Sequence, residues 1–326
     1  MKSEILRRLK EAGGYVSGQE LCGSLGVSRT AVWKCICQLK EDGYEIEAVR
    51  NKGYRLAESG DALTEAELRS ILDTEWLGRR ISVLDEVDST NNEVRKLAED
   101  GAPEGTLVLA AKQTAGKGRR GRSWESPKGE GIWMSFLLRP DFEPAHASML
   151  TLVAAMAVER GIRSLCGADC MIKWPNDIVL NGKKLCGILT EMSTEDDHIR
   201  HVVVGIGINA NTGSFPVELA GSATSLFLEL GRPVKRAVLV KEILKAWEHY
   251  YDIFLKTLDF GLLQEEYNER LVNRGRQVLV LAREGEWTGV SRGVDREGQL
   301  LVETADGQVN TVMSGEVSVR GIYGYV

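Results

Sequence analysis

The ten residues Gln113-Thr-Ala-Gly-Lys-Gly-Arg-Arg-Gly-Arg122 constrain the fold more than any other stretch of the chain. Three glycines interleave with four cations, a pattern that favours neither helix nor strand. It must be a loop, and it directly follows the apolar run Thr106–Ala111, which reads as a buried strand. Glycine lets a backbone approach an anion closely and offer its N–H groups as a nest, while Lys117, Arg119 and Arg120 supply positive charge. Such a loop suits a phosphate, a carboxylate, or both together. It is not a P-loop, because GxxxxGK[ST] is absent. The plainer alternative is a basic localisation or nucleic-acid patch, which the glycines and the abutting strand disfavour. The glycine content also predicts mobility in the empty protein.

Around this loop, roughly Leu63 to Arg270, helices and strands alternate in an α/β pattern. Asp61–Leu72 is a predicted helix, Ile81–Glu86 a strand and Asn91–Asp100 a helix ending at Gly101-Ala-Pro103. Strands are predicted over Thr106–Lys112 and Ile132–Leu138, then a long helix over Ser148–Arg163. Met171–Trp174 leads to Ile178–Leu180, and Asn181-Gly182 is the favoured type I′ hairpin turn before Leu185–Met192. His201–Ile208 reads as a strand and Arg236–Phe254 as a second long helix.

The head of the chain differs. Ile5, Leu6 and Leu9 give one face to a helix that stops at Gly13-Gly14. Ser17 caps a second helix that ends at Gly26, and Ser28 caps a third with Val32, Cys35, Ile36 and Leu39 inward. Two helices across a short turn make a helix-turn-helix. Tyr44–Val49, the basic turn Arg50–Gly53 and Tyr54–Leu56 then form strand, turn and strand, a wing. This leaves Ser28, Arg29, Thr30, Trp33 and Lys34 on the outer or leading face for base edges, and Arg50 and Lys52 for phosphates. A purely structural three-helix unit is the alternative, and Trp33 has a second option of packing against the first helix. Ser59–Asp61 reads as a linker. At the other end, Gln277–Leu281, Glu286–Asp295, Gln299–Glu303, Gln308–Met313 and Val317–Gly321 are five short strands, which suggests a small barrel.

Charge follows the same division. The net charge is −6, yet Met1–Arg55 holds ten Lys/Arg against seven Asp/Glu, so the head is +3 and the remainder −9. DNA contact would belong to the head. Met1–Lys10 has no uninterrupted apolar stretch, so no signal peptide is expected. The longest apolar run, Met149–Val158, is interrupted by Thr151 and falls short of the roughly 20 residues of a membrane span. Six cysteines without a CxxC pair and four scattered histidines argue against zinc and fit a cytosolic chain with reduced thiols.

Three further motifs bear on chemistry. Asp88-Ser-Thr-Asn-Asn92 offers hydroxyls and an amide at a helix start, where a ligand fits, though ordinary capping explains it equally well. In Lys173-Trp-Pro-Asn-Asp177 the proline forces a corner that aims Asn176 and Asp177 at one point, and a carboxylate there suits Mg²⁺ with nucleotide phosphates; a plain turn is the alternative. Lys184, by its position in a hairpin, reads as solvated. Gly205-Ile-Gly-Ile-Asn209 lacks the third glycine and following helix of a dinucleotide site, and reads as glycines admitting a close approach to a strand.

Taken together, DSTNN, QTAGKGRRGR, KWPND, NGKKLCGIL from Asn181 and GIGIN resemble the motif series of the bacterial bifunctional biotin–protein ligases and biotin-operon repressors. The resemblance runs nearly end to end, from SGQEL and SRTAVWK in the head to SGEVSVRG near the C-terminus. One departure is Lys117, where the family commonly has arginine: the charge stays and the bidentate fork is lost. The resemblance implies a multidomain α+β chain with a winged helix-turn-helix over 1–60. A biotin–lipoate ligase-like catalytic domain with a mixed sheet would span 63–270, and a small SH3-like β-barrel 273–326.

It also implies site roles. Ser89, Thr90, Asn91 and Gln113 would line the biotin ureido pocket, and Gly116, Lys117, Gly118 and Arg119 would wrap the biotin carboxylate and the nucleotide phosphates. Arg119, Arg120, Arg122, Trp124, Lys173, Asn176 and Asn209 would contact the nucleotide, with Trp124 near the adenine. Lys184 would meet the carboxylate and α-phosphate, reversing its bland reading, and would share catalysis with Arg119. Asp177 would hold Mg²⁺. The implied partners are biotin carboxyl carrier protein of acetyl-CoA carboxylase, operator DNA and, on ligand binding, a second copy of the chain. Two rivals remain: a biotin sensor without catalysis, disfavoured by Asp177 and the cation set, and a lipoate or octanoate ligase, whose arginine-containing triple-glycine motif is absent here.

Overall fold

The structure is a computed structural model that describes residues 1–58, 60–282, 285–313 and 318–321. Linker residue Ser59 and the Ser314–Val317 part of the SGEVSVRG motif, including the predicted start of the last strand, lie outside the described residues. The chain divides into two compact units: Met1–Asp73 with Lys235–Lys241, and Thr74–Val234 with Glu242–Val326.

The first unit is built as its sequence spells it. Helices α1 (Lys2–Ala12), α2 (Gly18–Leu25) and α3 (Arg29–Glu41) bury Ile5, Leu6, Leu9, Leu21, Val32, Cys35, Ile36 and Leu39 in one core. The Ser17 and Ser28 hydroxyls accept from the N–H groups of Glu20 at 3.0 Å and Ala31 at 3.2 Å. Each bond satisfies a donor the first helical turn leaves open, a contribution of ~1 kcal/mol. Strands β1 (Glu45–Val49) and β2 (Gly53–Glu58) pair antiparallel. Gly53 has φ 108, and a Cβ there would lie 2.1 Å from the Val16 carbonyl oxygen. Only glycine permits the two backbone bonds, 2.8 and 2.9 Å, by which Tyr54 and Val16 stitch the wing to the start of α2.

Helix α4 (Glu65–Ile71) corrects the expectation of a helix from Asp61. Thr64 is its cap, accepting from Glu67 N–H at 3.1 Å. Asp61 instead accepts from the backbone N–H and Nε of Arg236, at 2.7 and 2.6 Å.

In the second unit, β3 (Ile81–Val87), α5 (Thr90–Glu99) and β4 (Leu107–Gln113) form a βαβ element with parallel strands. Strand β5 (Ile132–Leu138) follows, then a 3₁₀ turn over Pro144–Met149 that delays the long helix α6 to Leu150–Cys166. Four more strands, β6 (Met171–Lys173), β7 (Asp177–Leu180), β8 (Lys183–Glu195) and β9 (His198–Ile208), complete a seven-stranded mixed sheet of order β3-β4-β5-β9-β8-β7-β6. Asn181 and Gly182 have φ 50 and 78, as the type I′ turn requires.

The β8–β9 ribbon is longer than expected. Ser193–Arg200 falls between the two predicted strands and is polar but for Ile199, yet Asp196 and Asp197 take φ 47 and 63 and close a second tight hairpin. Aspartate tolerates that region, and an exposed ribbon shows no hydrophobic period.

Short helices α7 (Val217–Ala220) and α8 (Leu226–Leu230) precede α9 (Arg236–Phe254) and α10 (Gln264–Arg270). Every residue of β5 is buried, and Phe136 meets Trp247 of α9 edge-on with ring centroids 4.7 Å apart. Each such side chain contributes ~1.5–3 kcal/mol by leaving water. Glu248, the next residue, accepts the backbone N–H groups of Glu75, Trp76 and Leu77, each at 2.8 Å.

The C-terminal strands β10 (Gln277–Ala282), β11 (Gly285–Val294), β12 (Leu300–Glu303), β13 (Val309–Val312) and β14 (Ser318–Gly321) form one antiparallel sheet of order β13-β12-β11-β10-β14. It is fastened beside β6, where Trp174 Nε1 donates to the Gly298 carbonyl at 3.1 Å and Val272 N–H to that of Ile172 at 2.9 Å.

Candidate functional site

A cleft of about 470 Å³ opens on one face of the mixed sheet. Its floor is flat because β8 and β9 place glycines opposite each other: Gly187 pairs with Gly207, and Leu189 with Gly205. Alternate residues of a strand share a face, so Gly187 and Leu189 point into the cleft and Lys184, by parity, should not. A β-bulge intervenes. Ile178 pairs with Cys186 but Val179 with Lys184, leaving Leu185 as the extra residue. The bulge shifts the parity and brings Lys184 to the cleft wall.

The corner at Lys173–Asp177 supplies the acceptors that hold two cations. The Trp174–Pro175 peptide is cis. Asn176 Oδ1 accepts from Arg119 Nη1 at 3.0 Å, while its amide donates to the Ile188 carbonyl at 3.0 Å. Asp177 Oδ1 lies 2.6 Å from Lys184 Nζ. Burial pulls the Arg119 guanidinium below the usual arginine value, against the opposing charge of Asp177. An anion in the cleft would relieve that desolvation.

The glycine-rich segment is folded as a hairpin across the cleft. Gly118 N–H donates to the Arg122 carbonyl at 2.7 Å and Trp124 N–H to that of Gly116 at 2.8 Å. A Cβ at Gly116 would stand 2.3 Å from the Trp124 carbonyl oxygen, so the approach requires glycine. Lys117 Nζ donates to Asn92 Oδ1 at 2.6 Å, and Asn92 in turn to Asp88 Oδ2 at 2.7 Å. That bond from Asn92 holds the Asp88 carboxyl below the usual carboxylate range. Trp124 lies on the glycine floor: a Cβ at Gly187 or Gly207 would come within 3.0 and 2.8 Å of its indole. Lys184 Nζ sits 5.1 Å from the Trp124 ring centroid.

At the other end stand Ser89, Thr90, Asn91 and Gln113. Ser89 occupies the N-cap position of α5 but its side chain makes no capping bond, which sets aside the plain capping reading for this hydroxyl.

Of the expected residues, Ser89, Thr90, Asn91, Gln113, Lys117, Gly118, Arg119, Trp124, Asn176 and Lys184 line the cleft, and Gly116 and Asp177 stand directly behind it. Four do not line it. Arg120 and Arg122 are exposed, and Lys173 and Asn209 are buried. Asn209 fastens the 223–226 segment through its amide, which donates to the Thr224 carbonyl at 3.1 Å. Ser135 and Glu191 were not anticipated, though both bond to Asn91. One signal existed for Ser135, the lone polar residue inside Ile132–Leu138.

The first unit carries a separate cleft, lined by Ser17, Gly18, Gln19, Arg29 and the wing residues Ala48–Tyr54, including Arg50 and Lys52. Thr30, Trp33 and Lys34 are exposed on the outer face of α3. Trp33 is 56% exposed, so it does not pack against α1. The Ser28 hydroxyl is committed to its cap, and Arg29 donates to Gln19 Oε1 at 3.0 Å.

Comparison with known proteins agrees with this division. The biotin/lipoate A/B protein ligase family matches residues 83–209, an HTH domain residues 2–55, and the biotin protein ligase C terminal domain residues 275–320. The bifunctional ligase/repressor BirA of Bacillus subtilis (strain 168) is 42% identical over 322 residues, 98% of each chain. That of Escherichia coli (strain K12) is 33% identical over 318 residues, 94% of each. The solved biotin protein ligase from Aquifex aeolicus in complex with biotin and ATP is 32% identical, with a TM-score of 0.66 over 74% of this chain and 99% of that one. With two ligase domains behind a helix-turn-helix and identity across nearly its whole length, the chain belongs to the bifunctional ligase/repressor family of biotin–protein ligases.

Proposed function

We propose that this protein is an ATP-dependent biotin–protein ligase and a repressor of biotin-operon transcription. The observation that carries the reading is the convergence of Lys117, Arg119 and Lys184 on one cleft whose far end offers neutral hydroxyls and amides. A bicyclic ureido head with a carboxylate tail has that polarity.

The reaction has two steps. A carboxylate oxygen of biotin attacks the α-phosphorus of ATP, and the bond to the β-phosphate bridge breaks, giving biotinyl-5′-adenylate and pyrophosphate. The acceptor lysine of biotin carboxyl carrier protein, as the free amine, then attacks the acyl carbon, loses a proton and expels AMP. In the first step two anions must meet, and Arg119 and Lys184 stabilise the charge that builds on the phosphorus oxygens. Both are already positioned by Asn176 and Asp177, so little reorganisation accompanies the reaction. The hairpin around Gly116–Trp124 screens the water-labile anhydride. Trp124 would lie against the adenine.

Mg²⁺ would neutralise the phosphates, held by Asp177 as a hard oxygen donor. Among the described residues there is no group of three or more His, Cys, Asp or Glu side chains suited to a metal, so phosphates and water would provide its other ligands.

The adenylate would also act as corepressor, favouring a homodimer whose two helix-turn-helix heads read a palindrome. The location would be the cytoplasm; no described helix is long and apolar enough to cross a membrane, and all six thiols are free.

The test is mass spectrometry of a carrier domain incubated with this protein, biotin and MgATP, with lipoate as competitor. A biotinyl mass gain that disappears in Arg119→Ala is expected; lipoyl transfer, or no transfer, would overturn the ligase reading. Operator binding by the same preparation should rise only with biotin and ATP together, and equal binding without them would remove the coupling.

A further inference from the structure

The polar end of the cleft is connected to a side chain outside it. Asn91 Nδ2 donates to Glu191 Oε2 at 2.7 Å, and Arg95 Nη2 to the other oxygen, Oε1, at 2.9 Å. Ser135 Oγ, fully buried on β5, lies 2.6 Å from Asn91 Oδ1 and 2.7 Å from Thr90 Oγ1. The backbone N–H of Thr90 donates to Gln113 Oε1 at 2.9 Å, and the Thr90 hydroxyl is 3.1 Å from the same oxygen. Gln113 Nε2 donates onward to Ser126 Oγ at 2.7 Å. Room for the Asn91 amide comes from Gly205, where a Cβ would stand 2.1 Å from Oδ1.

Donor and acceptor rules fix the direction of this chain. A carboxylate and a carbonyl only accept, so Glu191, together with the more distant Leu189 carbonyl at 3.3 Å, turns the Asn91 NH₂ toward itself and Oδ1 toward Ser135. Ser135 has one hydrogen, and Oδ1 takes it. Facing Thr90, Ser135 then offers lone pairs alone. The Thr90 backbone N–H likewise turns Gln113 so that Oε1 faces Thr90. The single Thr90 hydrogen therefore has two protein acceptors, Ser135 Oγ and Gln113 Oε1, and goes to one of them. What the Thr90 oxygen has left for the cleft is acceptor capacity.

We infer that Glu191, held by Arg95, is a positioning residue that acts through Asn91 and Ser135 to make Thr90 a hydrogen-bond acceptor, so that this end of the cleft selects ligands presenting an N–H donor. The inference rests on the biotin reading and deepens it, because a ureido ring presents two such donors. Without the carboxylate the Asn91 amide is oriented only by the Leu189 carbonyl at 3.3 Å and turns over more readily. Ser135 can then donate to Thr90, whose hydrogen keeps a single protein acceptor, Gln113 Oε1 at 3.1 Å, and is more easily drawn toward the ligand, where it opposes an N–H.

Steady-state pyrophosphate release by the full chain tests this with Glu191→Ala and Glu191→Gln, each alone and combined with Asn91→Ala. The single variants should raise KM for biotin about ten-fold, the worth of one well-placed hydrogen bond. KM for ATP and kcat should stay within about two-fold. In the Asn91→Ala background, removing Glu191 should add nothing further. A cyclic-carbonate analogue of biotin, in which oxygen replaces both ureido N–H groups, should lose part of its disadvantage as a competitor. Unchanged KM for biotin, additive effects with Asn91→Ala, or an equal rise in KM for ATP would overturn the inference. If Glu191→Ala fails to fold, the isosteric Glu191→Gln decides. A wild-type chain that does not adenylate biotin sinks the ligase reading and this one with it, whereas normal wild-type turnover with indifferent Glu191 variants sinks this one alone.

Discussion

The cations of the cleft and those on the outer face of the helix-turn-helix head are the same residue types in opposite physical states. Arg119, Lys184 and Lys117 are each held by a named acceptor, Asn176, Asp177 and Asn92. Lys34, Arg50 and Lys52 are exposed, and among the described residues no ion pair holds them. A fixed cation in a partly buried cleft stabilises developing charge without first reorganising. An exposed, flexible cation suits phosphate neutralisation, where the gain comes from released counterions and fades with salt. Position, rather than residue type, separates the two kinds of work.

Three substitutions break or sharpen that contrast. The largest effect is expected for Lys184→Met, which removes a pre-placed charge and should slow adenylation by about 10²–10³-fold. Pyrophosphate exchange measures it, and a loss under ten-fold would mean the cleft does not depend on this charge. Next is Asn176→Ala, which leaves Arg119 in place but unseats it. A roughly ten-fold fall in kcat/KM is expected, the scale of a hydrogen bond to a charged group; an unchanged value would show that Arg119 needs no seat. The smallest is Lys52→Ala on the wing. Operator affinity should drop a few-fold and the log–log salt slope should shrink by about 0.9. A wild-type slope would remove Lys52 from the phosphate contacts.

Sequence patterns revealed elements and their order well where a local rule governs. Ser17, Ser28, Asn181-Gly182 and the helix Arg236–Phe254 follow from capping, turn chemistry and period. They failed where a tertiary partner decides. Asp61 begins no helix of its own because Arg236, far along the chain at the start of α9, holds its carboxylate. The Asp196–Asp197 hairpin carries no apolar signal because both its faces are wet.

The candidate site divides the same way. The loop glycines and the Asn176–Asp177 corner were visible as motifs, and what they meet was not. Lys184 reaches the cleft through a bulge at Leu185, a register shift that no side-chain pattern records. Asn209, placed near the nucleotide by resemblance alone, is buried and braces a neighbouring segment, a contact that its place after two glycines does not record. Glu191 carries no local signal of its own, since Asn91 and Arg95 reach it from helix α5.

The facing pair Gly187 and Gly207 has one more consequence. Removing side chains from adjacent strands deprives the middle of a sheet of cross-strand contact, which is where strands normally gain cohesion. Trp124 covers this bare patch from outside, so the segment that guards the opening also lends the ribbon beneath it a borrowed side chain. Any flat ring that displaces the indole must take over the same duty, and guest and host thereby share one mechanical part.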